Sequence, residues 1–134
     1  MKYKILIVDG EEVVLCTLKK NLEQEGYQVE TTQSSATAFE KIKMDKYHIV
    51  LVNIEMPQMD GIELLRKIKG YDPMAQIIMM TKNSTMDHIL SSLEYGANDY
   101  INKPLNNAEY VLNVIDYSVQ KLERWRKAII QIVE

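Results

Sequence analysis

The sequence predicts an α/β fold, in which a doubly wound parallel sheet of five strands is covered by helices on both faces. Short apolar runs alternate strictly with longer amphipathic segments along residues 1–120. Such alternation is typical of parallel sheets with right-handed crossovers, because each crossover helix packs on the sheet that it connects. The length of 134 residues suits a single core, and 46% apolar with 26% charged residues is an ordinary globular composition.

Five segments have the length and composition of β-strands. Three of them, at residues 5–8, 48–53 and 76–80, are compact apolar runs of the kind that a buried parallel strand requires. Residues 27–31 alternate between apolar and polar side chains, which indicates a more exposed strand. The fifth strand is predicted at residues 99–102.

Between the strands, apolar residues recur at helical spacing, and polar capping pairs mark three of the helix starts. The first two helices are predicted over residues 11–25 and 35–45, and the fourth extends to Tyr95. The predicted capping pairs are Asp60 with Glu63, Ser84 with Asp87, and Asn106 with Glu109. The expected core positions of the first three helices are Val14, Leu15, Leu18, Leu22, Ala36, Phe39, Ile42, Leu64, Leu65 and Ile68.

The single cysteine, Cys16, excludes an internal disulfide framework and a cysteine-based metal cluster. It lies in an apolar stretch of the first helix, so we expect it to pack as a small apolar side chain.

The last helix is predicted to run from about Asn107 to Glu134 without glycine or proline. Apolar residues recur along it at alternating spacings of 4 and 3, which is typical of a coiled coil, and Arg126 is the one polar interruption. We therefore predict a domain of residues 1–120 and an extension of residues 121–134, as a coiled coil or a linker toward an output domain. The extension either pairs with a second copy or a partner helix, or folds back on its own domain. Its apolar residues are Leu122, Trp125, Ile129, Ile130 and Val133.

Polar residues follow four of the predicted strands, namely Asp9, Asn53, Thr81 and Lys103. In a doubly wound sheet, ligands bind beyond the carboxyl ends of the strands. We therefore expect these four side chains to converge on one pocket.

Several separated motifs occur along the chain in a fixed order: residues 5–9, residues 56–61, Thr81, residues 96–100 and residues 103–105. Over about residues 3–120, their order and spacing resemble the receiver domain of response regulators, the CheY-like signalling domain of two-component phosphorelay systems. The resemblance implies a flavodoxin-like sheet with strand order 2-1-3-4-5.

In the resembled family, two acidic residues after the first strand and an acceptor aspartate hold Mg²⁺. A threonine or serine and a lysine bind the phosphoryl oxygens. This sequence keeps Asp9, but Gly10 occupies the second acidic position and Asn53 the acceptor position. Thr81 and Lys103 match the phosphoryl-binding positions. The resemblance therefore implies a receiver pocket in which the acceptor and one acid are replaced.

Three further positions follow from the resemblance. Lys82 stands where the family usually has a small residue, and it either covers the phosphoryl site or points into solvent. Tyr100 matches the aromatic that couples the pocket to the outer face, or is simply a half-buried tyrosine of an edge strand. Among the acids near the rim, which include Glu11 and Glu12, Glu55 is the strongest candidate to replace a missing metal ligand.

The charge of the pocket decides what it is expected to bind. Three carboxylates and one lysine carry about −2, which a divalent cation with hard oxygen ligands cancels. Here one carboxylate and one lysine sum to about zero. We expect Lys103 to pair with Asp9 and to donate to the amide oxygen of Asn53. Metal ligands at Asp9, Asn53 and Glu55 are therefore expected to hold Mg²⁺ weakly or not at all, and no other cofactor is expected.

The sequence thus favours a signalling module that is not phosphorylated in this form, that is not an enzyme and that has no catalytic residue. It would act by protein–protein interaction, with a histidine kinase or output partner or as a homodimer, through its fourth-helix to fifth-helix face or its last helix. The alternative is an ordinary phospho-accepting receiver whose acceptor aspartate has been changed to Asn53. Gly10 argues against that alternative, since such a change needs no second lesion. A flavin binder or small enzyme is disfavoured, because the acidic loop of residues 9–12 lacks phosphate-cradling residues.

Location and other partners follow from composition. No apolar stretch approaches the ~20 residues that a bilayer requires, so no membrane partner is expected and the cytoplasm is the expected compartment. The net charge of −3 gives no global basic field. The basic residues of the extension are interpreted as a solvated helix face, so nucleic acid is not expected as a partner.

Overall fold

The computed structural model of the protein describes residues 2–103 and 107–133. Strands and helices alternate along the whole chain. The strands are β1 (Lys4–Val8), β2 (Gln28–Thr32), β3 (Ile49–Asn53), β4 (Gln76–Thr81) and β5 (Asp99–Asn102). The helices are α1 (Glu12–Gln24), α2 (Ser35–Met44), α3 (Gly61–Tyr71), α4 (Met86–Glu94) and α5 (Ala108–Val133).

The five strands form one parallel sheet in the order β2-β1-β3-β4-β5. This confirms the predicted fold class and strand order. The register pairs Val8 with Val52, and Asn53 with Met80. The strands therefore end at nearly the same level, and the residues that follow them lie at one edge of the sheet.

Each face of the sheet carries an apolar layer. One layer packs against α2 and α3, and the other packs against α1 and α5. Every residue of β3 and β4 is buried, which explains why these strands are continuous apolar runs rather than alternating ones.

Two positions expected in the core of the helices are exposed. Ala36 is exposed, whereas Ser35 and Ala38 are buried, so the inner face of α2 differs from the prediction in its first turn. The predicted positions Phe39 and Ile42 are half-buried and buried. Cys16 is also exposed, with Sγ 3.7 Å from a carboxylate oxygen of Glu12, so the expectation of inward packing is wrong. The leucines of α1 alone define its buried side, and Cys16 falls outside that stripe.

The start of α4 also differs from the prediction. Thr85 caps this helix, because its hydroxyl accepts a hydrogen bond from the N–H of His88 at 3.1 Å. Ser84, the predicted cap, instead donates from its hydroxyl to the hydroxyl of Tyr100 at 3.3 Å. Ser84 thus connects the β4–α4 loop with β5.

The starts of α3 and α5 are capped by side chains as well. Asp60 accepts from the N–H of Glu63 at 2.9 Å, which confirms this predicted cap. The other predicted cap, Asn106, lies outside the described residues. In the structure, Asn107 accepts from the N–H of Tyr110 at 3.2 Å.

The last helix continues without interruption to Val133, well beyond the part that packs on the sheet. Its buried residues end at Ser118, and Trp125 and Ile129 are 61% and 53% exposed. Within residues 2–103 and 107–133, no helix combines the length and the hydropathy that a membrane span requires. The division into a domain of residues 1–120 and an extension of residues 121–134 stays a prediction.

The first turn of the extension contacts the domain. Leu122 packs half-buried against the core, and the hydroxyl of Tyr3 donates to the carboxylate of Glu123. Burial, and then the Glu123 carboxylate, raise the pKa of Tyr3 to about 12, so the hydroxyl keeps its proton at neutral pH. Beyond this contact, the helix and the base of the domain enclose a groove of about 340 Å³, lined by Tyr3, Lys46, His48, Met74, Leu122, Trp125, Arg126, Ile129 and Ile130.

His48 is held as a neutral side chain before the start of β3. Its Nδ1 accepts a hydrogen bond from the backbone N–H of Lys4 at 3.0 Å, and its ring meets that of Tyr3 edge-on. Burial, and then the charge of Lys46, lower the pKa of His48, against a smaller opposing effect of Asp72. Protonation of Nδ1 would remove the acceptor of this hydrogen bond.

We therefore predict that the protein loses stability as the pH falls below about 6.5, the pKa of an unfolded histidine. Above that pH the contribution of His48 is fully present. Below it the unfolded chain binds a proton that the folded protein resists, until the pH reaches the lowered pKa of the folded state. Urea unfolding at about pH 7.5 and about pH 5.5 measures the loss. His48→Asn keeps an acceptor without titrating, and should reduce the difference; an equal difference in this variant would contradict the assignment.

Candidate functional site

A small cavity of about 150 Å³ lies at the carboxyl ends of β1, β3 and β4. It brings together the acceptor-equivalent residue Asn53 and the acid Asp9, and Thr81 and Lys103 contact residues of its lining. The lining residues are Asp9, Gly10, Glu11, Asn53, Glu55, Lys82 and Asn83. The four strand-end residues therefore lie together, at the edge of the sheet where the topology places ligands.

A buried ion pair closes the inner end of this cavity. Nζ of Lys103 lies 2.6 Å from Oδ2 of Asp9, and the two side chains are 3% and 0% exposed. Neither atom has a partner of hydrogen-bonding geometry among the described residues, so the contact is ionic rather than an aligned hydrogen bond. Oδ1 of Asp9 accepts from the N–H of Glu11 at 2.9 Å. The predicted pairing of Lys103 with Asp9 is thus present.

The side-chain amide of Asn53 bonds the loop that follows β3. Nδ2 donates to the backbone carbonyl of Glu55 at 3.0 Å, while Oδ1 is buried and has no hydrogen-bond partner in the described part of the chain. The expectation that Lys103 donates to this oxygen is therefore wrong. The carboxylate of Asp9 attracts the ammonium group more strongly than a neutral amide does.

Glu55 lies across the mouth of the cavity and contacts the end of β4. One carboxylate oxygen accepts from the hydroxyl of Thr81 at 2.5 Å, and the other accepts from the backbone N–H of Lys82 at 3.0 Å. Thr81 is fully buried, whereas Glu55 is exposed. The Glu55 carboxylate, which lines the same cavity as Asp9 and Asn53, is therefore bound to the end of β4 and to the β4–α4 loop.

The rim of the cavity is bridged by a second carboxylate. Glu11 lies 2.7 Å from Nζ of Lys82 and 3.6 Å from Nζ of Lys103. The hydrogen bond with Lys82 is the main cause that lowers the pKa of Glu11, and the same bond raises the pKa of Lys82. The side chain of Lys82 is 59% exposed, so it covers the mouth from outside and does not fill the cavity.

A series of contacts leads from the cavity to the outer face of the domain. The N–H of Asn83 donates to the hydroxyl oxygen of Thr81 at 3.1 Å. The next residue, Ser84, donates to the hydroxyl of Tyr100. The ring of Tyr100 is half-buried and packs against the core. The pocket, the β4–α4 loop and β5 are thereby connected by two hydrogen bonds and the backbone of residues 83–84.

The loop after β3 is held by a close backbone approach. The N–H of Gly61 donates to the carbonyl of Ile54 at 2.9 Å. A Cβ atom on Gly61 would lie 2.5 Å from the backbone oxygen of Asn53 and 2.7 Å from Cα of Ile54. Glycine is therefore required here, because the start of α3 is packed directly against the backbone that presents Asn53.

Comparison with known proteins agrees with this architecture. The family model of the response regulator receiver domain matches residues 5–115. The chain belongs to the response-regulator receiver domain family.

Individual relatives resemble this receiver domain closely. The alkaline phosphatase synthesis transcriptional regulatory protein PhoP of Bacillus subtilis is 36% identical over 110 residues, or 81% of this chain and 45% of PhoP. The chain thus spans less than half the length of that regulator. The crystal structure of a CheY-like receiver domain protein from Methanospirillum hungatei JF-1 is 33% identical with a TM-score of 0.90, covering 92% of this chain and 98% of that one. The beryllofluoride-activated receiver domain dimer of NtrC4 is 28% identical with a TM-score of 0.83, covering 88% of this chain and 97% of that one.

The contacts of the two glutamates at the rim were not predicted in this form. The sequence predicts Glu55 and Glu11 near the pocket, with Glu55 as a candidate metal ligand. The structure instead bonds Glu55 to Thr81 and to the backbone of Lys82. The signal available in the sequence was the position of Glu55, two residues beyond the end of a buried strand.

We predict that Gly61→Ala destabilises the receiver domain by about 1–3 kcal/mol, because the added methyl group collides with backbone atoms that cannot rotate away. Urea unfolding measures the change. Gly70→Ala is the matched control in the same helix, since a Cβ atom there meets nothing within 4 Å. It should raise stability by up to about 1 kcal/mol through helix propensity. Equal effects of the two substitutions would contradict the proposed close approach.

Proposed function

We propose that this receiver domain is a signalling module of two-component systems that takes no phosphoryl group in this form and acts through protein–protein contacts. The observation that carries the proposal is the buried pair of Asp9 and Lys103 beside the neutral side chain of Asn53. Formation of an acyl phosphate requires a carboxylate oxygen to attack phosphorus, and a carboxamide is a far weaker nucleophile. We accordingly propose a signalling role in the cytoplasm rather than an enzymatic one.

The residues of the pocket do not fit a magnesium ion. Mg²⁺ requires near-octahedral coordination by hard oxygen atoms, usually with one or two free carboxylates. Asp9 is neutralised by Lys103, Gly10 has no side chain, and the Glu55 carboxylate is bound to the end of β4. No cluster of three histidine, cysteine, aspartate or glutamate side chains suited to a metal occurs in residues 2–103 and 107–133. We propose that magnesium binds weakly at most.

The competing proposal is a phospho-accepting receiver whose acceptor has been replaced by asparagine. It is supported by Thr81 and Lys103, which stand at the positions that bind phosphoryl oxygens in the family. Gly10 speaks against it, since a Cβ atom at this exposed position meets nothing within 4 Å and an aspartate would fit. A lack of space therefore does not explain why position 10 has no acidic side chain.

We predict that acetyl phosphate with Mg²⁺ leaves the intact mass of the protein unchanged, and that beryllofluoride leaves its melting temperature unchanged. A ligand that binds the native pocket would raise the melting temperature. A mass increase of one phosphoryl group, or a saturable thermal shift, would contradict the proposal.

Two aspartate variants separate the two proposals. If the domain takes no phosphoryl group in this form, as we propose, Asn53→Asp alone should accept phosphate poorly. The double variant Gly10→Asp with Asn53→Asp should accept it readily with Mg²⁺ present. If the single variant is phosphorylated as rapidly as the double variant, the competing proposal of a receiver with a replaced acceptor aspartate is favoured.

Two surfaces are proposed for protein partners, either a histidine kinase or output partner or a second copy. The first is the face of α4, β5 and α5, where Leu90, Leu93 and Tyr117 are between 53% and 68% exposed. NtrC4, whose receiver domain is described as a dimer, supports association of this kind of domain. The second is the apolar side of the α5 extension, whose residues Trp125, Ile129, Ile132 and Val133 the domain leaves exposed.

For the extension, we predict self-association that Ile129→Glu abolishes, because a buried unpaired charge is costly in a helix–helix interface. Sedimentation equilibrium over a concentration series measures the mass of the full chain. Gln131→Glu introduces the same charge at an exposed position outside the apolar stripe, and should leave association intact. A wild-type chain that is monomeric at every concentration would exclude this surface as a homodimer interface.

A further inference from the structure

We propose that the groove between the base of the domain and the α5 extension binds a small carboxylate with an aromatic or branched apolar body. The groove lies at the amino ends of β1, β3 and β4, where Tyr3, His48 and Met74 precede these strands. In a parallel sheet this is the edge opposite to Asn53, so binding here is independent of the function proposed for that pocket.

The size and the walls of the groove suit a small organic ligand. Its volume of about 340 Å³ lies in the lower part of the range of ~300–1,000 Å³ that is usual for such sites. The α5 wall consists of apolar and aromatic side chains, among which Trp125 and Ile129 are more than half exposed. Met74 lines the groove from the domain and is also exposed. An apolar body in contact with these side chains would remove their surface from water.

His48 provides the groove with a hydrogen-bond donor. Its Nδ1 accepts from the backbone N–H of Lys4, so the proton of the neutral imidazole is on Nε2. No described residue accepts a hydrogen bond from this Nε2–H. The half-buried ring therefore offers a donor to an oxygen atom of a ligand, beside walls that are otherwise apolar.

The charged side chains that line the groove favour an anionic ligand. Among the described residues, its lining contains two cations, Lys46 and Arg126, and no anion. Nζ of Lys46 lies 2.8 Å from the carboxylate of Asp72, and a guanidinium nitrogen of Arg126 lies 3.8 Å from the carboxylate of Glu123. These two carboxylates must be counted before the sign of the site is known.

The carboxylate of Asp72 is shared with a second lysine. Nζ of Lys69 donates to the carbonyl oxygens of Pro73 and Ala75, which flank Met74 of the groove. Burial lowers the pKa of Lys69, and the charge of Asp72 opposes this effect. Asp72 thus faces the ammonium groups of both Lys46 and Lys69.

The carboxylate of Glu123 is shared in the same way. The hydrogen bond from Tyr3 is the main cause that lowers the pKa of Glu123, and the charges of Arg126 and Lys127 lower it further. Four cations therefore share two carboxylates around the groove, which leaves a sum of about +2. A carboxylate on an apolar body matches both this charge and the apolar walls.

The test titrates the full chain with sodium 3-phenylpropionate and follows the emission of Trp125, which is the single tryptophan of the chain. Sedimentation at the same protein concentrations reports association, because Trp125 also belongs to the surface proposed for self-association. The emission should shift saturably. The neutral alcohol 3-phenylpropanol has the same apolar body and should bind about tenfold more weakly, because it lacks the charge-assisted contacts. Sodium acetate at equal ionic strength should cause no shift.

Two-dimensional NMR of the same titration locates the ligand. The backbone amide signals of His48 and Met74 should move with 3-phenylpropionate. The amide signals of Asn53 and Thr81, at the opposite edge of the sheet, should stay in place.

Two lysine variants test the charge. Lys46→Gln should weaken binding of 3-phenylpropionate about threefold, as expected for one partly exposed charge, and should leave binding of the alcohol unchanged. Lys43→Gln is the matched control, because Lys43 is an exposed lysine that pairs with Glu40 of its own helix and does not line the groove. It should leave the affinity for both compounds unchanged.

Four results would overturn the proposal. These are the absence of a saturable Trp125 shift, equal affinity for the acid and the alcohol, equal loss of affinity in the two lysine variants, and amide shifts at Asn53 and Thr81 in place of His48 and Met74. If the shift is absent and sedimentation shows association at every concentration, a second copy of the chain covers the groove in place of a small ligand.

Discussion

The buried ion pair between Asp9 and Lys103 is the interaction on which the pocket depends. It joins the ends of β1 and β5, which two other strands separate in the sheet. Its members are almost fully enclosed, so removal of one would leave the other as an uncompensated charge, at a cost of several kcal/mol. The pair therefore maintains the shape of the site and at the same time neutralises the acid that remains from the family's metal-binding set.

Because Asp9 and Lys103 neutralise each other, the remaining charges of the site belong to side chains at its mouth. The other acidic side chains of the site lie at the mouth of the cavity. Glu55 is hydrogen-bonded to the end of β4 and to the backbone that follows it, and Glu11 pairs with Lys82 and Lys103. The charges at the mouth of the pocket are thus paired with groups of the chain itself. The connection from Thr81 through Ser84 to Tyr100 is retained. These contacts join the pocket to the outer face of the domain, although the residue at the acceptor position is an amide.

The helix α5 joins two environments in a single element. Up to Ser118 it is a core helix that seals one face of the sheet, and beyond Leu122 it carries apolar side chains that the domain covers little. A continuous helix transmits its orientation rigidly over several turns. The extension therefore keeps the direction that is set by the part of α5 packed on the sheet.

The sequence by itself determined the elements, the parallel sheet and the convergence of Asp9, Asn53, Thr81 and Lys103, because apolar periodicity and strand-end positions depend on local order along the chain. It also indicated the ion pair, since one acid and one lysine remained to balance each other. Tertiary structure alone decided the partners of Glu55 and Glu11, the orientation of the Asn53 amide, the exposure of Cys16 and Ala36, and the capping of α4 by Thr85. These depend on how loops and helices are rotated against the sheet. A rotation of one residue changes which side chain is buried, and a long flexible carboxylate bonds whichever donors the fold places within its reach.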